Sequence, residues 1–217
     1  MPSHASQEFA DLIGFVDQLI AIHGRLQAGR GRRHQQDAIH RAGVVMTVAA
    51  WESYIEKVLS EAVTSIEEHA GIGGPVAVAP AAPVPPWARH AFALRRTEIK
   101  NSVKRFNTPN AVNVRDLFGE ALEFNPWPHW NWHAQRRQWN QEEMRRRLNY
   151  WMDIRHSVAH GFPLPNDIPW LQDPHRRPRL TLDLLKQCKS LFQRLVSQTD
   201  VAFAVFLRDH HGVPLPW

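Results

Sequence analysis

Arg155, His156 and His160 fall in one short run, Tyr150-Trp151-Met152-Asp153-Ile154-Arg155-His156-Ser157-Val158-Ala159-His160-Gly161. They are the chain's densest cluster of groups able to do acid–base work on a phosphate. An imidazole exchanges a proton near neutral pH, and a guanidinium stays charged and donates paired N–H groups to phosphate oxygens. Such a set is sufficient to cleave RNA without a metal. A base takes the proton of the 2′-hydroxyl as it attacks the adjacent phosphate, a cation steadies the phosphorane, and an acid protonates the leaving 5′-oxygen. Arg155 and His160 have the properties required, and His156 is placed to orient the site or share the proton transfer.

These residues need a helix end to hold them. Leu148, Trp151, Ile154 and Val158 recur at helical spacing and make one apolar face. Gly161 stands where a residue ending a helix belongs, and Pro163 cannot continue it. His156 and His160 are four residues apart and share a face, whereas Arg155 lies roughly 140° around from His160 and must reach across with its long side chain. The end of a helix carries partial negative charge and favours cations. The same three side chains can also do no more than satisfy the last carbonyls.

The run Arg155-His156-Ser157-Val158-Ala159-His160 resembles the Arg–polar–xxx–His motif of the HEPN superfamily, with His156 in the polar slot. Val48-Ala49-Ala50-Trp51-Glu52-Ser53-Tyr54-Ile55-Glu56 resembles the second-helix signature of its RiboL-PSP-like group. Asn107-Thr108-Pro109, followed by Val114-Arg115-Asp116-Leu117-Phe118, resembles the segment between that group's middle helices. The similarity covers most of residues 6–208. It implies a metal-independent endoribonuclease with Arg155 and His160, and His156 beside them, as catalytic residues. It also implies a homodimer that brings two motif helices into one composite cleft, and the role of toxin or effector in a toxin–antitoxin or phage-defence system, restrained by an antitoxin or regulatory protein.

Two other chemistries compete. His156 and His160 could offer two nitrogens to zinc, but Ser157 stands where the helices of zinc proteases carry glutamate. No metal or cofactor is therefore expected. The second alternative is a helical module that binds RNA or protein without cleaving, as an antitoxin or regulatory partner would; the intact Arg155/His160 pair argues for the enzyme.

Composition narrows the setting. The 217 residues are enough for one domain, or one domain with an insertion, and for a sizeable core. A net charge of +5, carried mostly by arginine, favours polyanionic partners, RNA first. The longest apolar run, Val44 to Trp51, is far too short to span a membrane. Glu8 and Asp11 lie early, with no basic segment ahead of an apolar core, so no signal peptide is expected. The one cysteine, Cys188, excludes an internal disulfide and any cysteine zinc cage, and points to a reduced, cytoplasmic location; its apolar helical surroundings imply burial.

Helical periodicity runs over 6–28, 35–70, 91–106, 111–123, 141–160 and from Thr181 to about 208, with no convincing strand anywhere. The class expected is all-α, an up-and-down bundle with long Pro-rich connections. Ala42, Gly43, Ala49 and Ala50 allow a neighbour to approach the second helix closely, Trp51 reads as a core aromatic, and Glu52 and Glu56 are either exposed or hold arginines of another helix. Residues 29–34 form a basic turn. Residues 71–90 form a loop, whose stretch 71–87 is low in complexity and rich in Gly, Pro, Ala and Val. The Trp- and Arg-rich insertion 125–139 leads into the motif helix. Its Trp130 and Trp132 are candidate stacking platforms for bases, and Arg136, Arg137 and Arg145 candidate phosphate contacts. Packing of the tryptophans within the fold is the competing reading.

Overall fold

A computed structural model describes residues 1–25, 36–71, 85–134, 137–173, 177–214 and 216–217, with the side chains of 134 and 137 left aside. Among these, six helices carry the fold: α1 (His4–Arg25), α2 (Asp37–His69), α3 (Pro86–Arg105), α4 (Ala111–Leu122), α5 (Gln141–Ala159) and α6 (Leu182–His211). The class is all-α, as the periodicity implies. Among the described residues no helix is long and apolar enough to cross a membrane. The basic turn at 29–34 lies outside the described residues, as does most of the low-complexity loop.

α2 is the axis of the bundle. It packs on α1, α5 and α6, and buries residues on most of its circumference, from His40 through Trp51 and Tyr54 to Glu67. A Cβ at Gly43 would sit 2.7 Å from the Leu185 side chain, so glycine there is what lets α6 come close. Trp51 is a core aromatic: it stacks on Tyr54 at 5.8 Å, meets Trp130 and Phe192 at 6.2 and 5.9 Å, and donates Nε1–H to the Pro109 carbonyl at 3.0 Å. That bond ties α2 to the entry of α4.

Helix starts follow their capping residues. Asn110, Asn140 and Thr181 accept from the backbone N–H groups of Asn113, Glu143 and Leu184, which opens α4, α5 and α6. The N-terminus is fastened from inside. Ser3 donates its backbone N–H and its hydroxyl to the buried carboxylate of Asp200, which the Tyr54 hydroxyl also reaches at 3.4 Å.

Two expectations need correction. α3 begins at Pro86, inside the stretch read as loop to residue 90. Proline suits the first turn of a helix, where its missing N–H costs nothing, and the alanines and arginines after it are good helix formers. A small antiparallel hairpin, β1 (Trp132–Ala134) with β2 (Arg137–Trp139), stands where no strand was expected. Trp132 lies opposite Trp139, the rings edge to face at 5.3 Å, and this cross-strand pair supplies what the short sequence lacks in alternation. The connection from α5 to α6 is proline-rich as expected but packed, with Leu164, Ile168, Leu171 and Leu180 all buried.

Candidate functional site

α5 holds His156 and His160 at the surface by burying another face, and Arg155 projects close to that buried face. Met144, Leu148, Trp151 and Ile154 are in the core, and Trp151 packs on Trp170 at 4.9 Å. The helix then ends in a complete C-terminal motif: Phe162 N–H donates to the Ser157 carbonyl at 2.8 Å and Gly161 N–H to that of Val158 at 3.4 Å. Gly161 sits at φ +70°, where any side chain would be strained. These bonds satisfy carbonyls that the histidines would otherwise have to serve, which leaves both rings available.

The rings of His156 and His160 are 4.5 Å apart, centre to centre, and Phe162 closes the cluster at 5.9 and 5.8 Å, stacked on His160. Both histidines are exposed. Arg155 points the other way, toward α2, where its Nη2 lies 3.9 Å from Oε2 of Glu52, the side chains being 32% and 22% exposed. Of the two alternatives for Glu52, holding an arginine of another helix is the one found. Burial pushes the Glu52 carboxyl up, Arg155 opposes, and Glu56 adds to the rise. Asp153, one turn before His156, is likewise raised by desolvation and by Asp167, with His156 opposing.

At this end of α5 the structure brings the two exposed imidazoles together, while Arg155 lies on another side, paired with Glu52. The arginine can bind a phosphate, the imidazoles can carry protons, and Glu52 limits where the guanidinium can go. Two cavities, of about 510 and 610 Å³, are lined by other residues, and both histidines of this cluster are exposed. Among the described residues no three of His, Cys, Asp or Glu gather as a metal-binding group.

The residues proposed to grip RNA separate. Trp130 is 0% exposed, and its Nε1–H donates to Thr199 Oγ1 at 2.9 Å, so it has no face to offer a base. A tryptophan whose N–H finds a partner inside is better buried than wet, and packing outweighs stacking here. Trp132 is half-buried in its pair with Trp139. Arg136, and the side chain of Arg137, lie outside the described residues. Arg145 is half-buried, its guanidinium 4.2 Å from the centre of the Trp127 ring. Asp153 and Phe162 were not singled out in the sequence; their spacing from His156 and His160 is the only signal that could have found them.

The family model described as RiboL-PSP-HEPN matches residues 6–204. No significant match appears among curated proteins or among solved structures.

Proposed function

The chain belongs to the RiboL-PSP-HEPN family, and from that premise we propose that it is a metal-independent endoribonuclease. HEPN domains are often ribonucleases, and they commonly dimerise and bind RNA. The observation that carries the reading is the grouping of Arg155, His156 and His160 at the capped end of α5.

In this reading His160 takes the proton of the ribose 2′-hydroxyl, and the freed oxygen attacks the neighbouring phosphorus. Arg155 steadies the charge on the phosphorane. The P–O5′ bond breaks and the 5′-oxygen takes a proton from a second imidazolium, either His156 or a histidine of a second copy. The products carry a 2′,3′-cyclic phosphate and a 5′-hydroxyl. The exposure of both histidines supports a homodimer in which a second α5 supplies the missing wall. A nuclease of this kind is harmful unless restrained, which supports the role of toxin or phage-defence effector in the cytoplasm, with an antitoxin or regulatory protein masking the cleft. The same exposure also favours one other reading, a module that binds RNA or protein without cutting.

Incubation of purified protein with mixed RNA, with and without EDTA, separates the two. Cleavage insensitive to EDTA with cyclic phosphate ends is expected; intact RNA, or products with 3′-hydroxyl ends, would exclude the mechanism.

A further inference from the structure

Arg115 of α4 and Arg145 of α5 both lie over the indole of Trp127, their guanidinium carbons 4.5 and 4.2 Å from the ring centre. The two charges are therefore within about 9 Å of each other, a separation comparable to the Debye length of about 8 Å at physiological salt. The ring is fixed in place: Trp127 Nε1–H donates to the Ala111 carbonyl at 2.9 Å, and its backbone N–H to Asn125 Oδ1 at 3.1 Å. Asp116 holds Arg115 at 2.7 and 2.5 Å, whereas Arg145 donates Nε–H to the Gln141 carbonyl at 3.3 Å and forms no ion pair among the described residues. Two cations thus share one ring, with a carboxylate, that of Asp116, bonded to Arg115. An anion laid across both would relieve their repulsion.

Arg145 opens onto a groove of about 400 Å³ lined by hydrogen-bonding side chains: Asn131, His133, Asn140, Gln141 and Glu142. Arg145 precedes His156 by eleven residues on α5, which places them about 20° apart around the helix and about 16 Å apart along it. Arg145 and His156 therefore lie on one stripe of α5, separated by a few nucleotides of extended strand, with Arg115 of α4 beside Arg145 over the Trp127 ring.

We infer that Arg115, Trp127 and Arg145 form a second phosphate-binding subsite for single-stranded RNA, a short way along the strand from the bond acted on at Arg155 and His160. The inference rests on the ribonuclease reading for its substrate. Trp127 holds the guanidinium planes, and their outer N–H groups donate to phosphodiester oxygens.

The test uses Arg115→Gln plus Arg145→Gln, in an otherwise wild-type chain for cleavage and in a His160→Ala background for binding. The ligand is a labelled RNA strand of about ten nucleotides, a length within the usual range for single-strand sites. Binding should weaken roughly tenfold or more, and the slope of log affinity against log salt should flatten by about 1.4, or 0.7 for Arg145→Gln alone. Cleavage of the long strand should fall more than cleavage of a dinucleotide, which is too short to span both positions. Unchanged affinity and salt slope, with the fold intact by urea unfolding, would overturn the subsite. A wild-type protein that binds RNA in this arginine-dependent way yet never cuts it would sink the ribonuclease reading and leave the subsite standing.

Discussion

Nη2 of Arg155 lies 3.9 Å from Oε2 of Glu52, across the packed interface of α5 and α2. The pair joins two of the three stretches that resemble the family, one on each helix. At 3.9 Å it is loose enough for the guanidinium to turn toward a phosphate, yet close enough to limit its wandering. Ordering a long cationic side chain before substrate arrives lowers the entropic cost of using it.

Glu52→Gln should lower kcat/KM for RNA by roughly ten- to a hundredfold while the fold persists. The pH profile should change with it. Glu52's carboxyl is held above the ordinary value by burial, so its contribution to stability is full below the ordinary carboxylate pKa and falls as pH rises through the raised value. Its restraint on Arg155 has the opposite sign. It needs the carboxylate, and so weakens as pH falls through that same raised value. As pH falls through that raised value the wild type should lose more activity than Glu52→Gln. Equal rates and equal pH profiles would show that Glu52 does not position Arg155.

Trp130 is a core residue, and its replacement should read as one. Trp130→Ala should cost about 3–5 kcal/mol of stability by urea unfolding, with RNA affinity per folded molecule unchanged. Trp130→Phe keeps an aromatic ring, smaller than the indole, but leaves Thr199 Oγ1 without its donor, and should cost less. A Trp130→Phe variant with wild-type stability and weakened RNA binding would contradict this placement.

Asp200 sets a second pH dependence. Burial raises its carboxyl, the hydrogen bonds from Ser3 and Tyr54 oppose the rise, and Glu61 adds to it. With the folded value raised, this group's stabilising contribution is present below the ordinary aspartate pKa and is lost as pH rises through the raised one. Asp200→Asn has no carboxyl to titrate and so no such pH dependence. Whatever it loses in bonding to Ser3, its Tm relative to wild type should improve as pH rises through that window. A relative Tm that falls over the same window would contradict the sign.

The helices were legible because apolar residues recur on them at helical spacing, and because Thr181 and Gly161 mark ends with residue types that have one physical use there. The hairpin was not, since a three-residue strand held by one Trp132–Trp139 pair leaves no periodic trace. In the site, local spacing brought His156 and His160 together. The pairing of Arg155 with Glu52 joins residues about a hundred positions apart, and spacing left Glu52 either exposed or paired. Trp130 and Trp127 look alike in sequence; one reaches Thr199 in the core and the other lies under two arginines, a difference set by tertiary contacts alone.

The most direct measurement of the central claim is RNA cleavage by Arg155→Ala, His160→Ala and His156→Ala beside the wild type, each checked for helical content by circular dichroism. Loss of roughly 10²–10⁴-fold is expected for His160→Ala, a comparable loss for Arg155→Ala and a smaller one for His156→Ala, with wild-type products ending in 2′,3′-cyclic phosphate. Full activity in folded Arg155→Ala or folded His160→Ala would contradict the account.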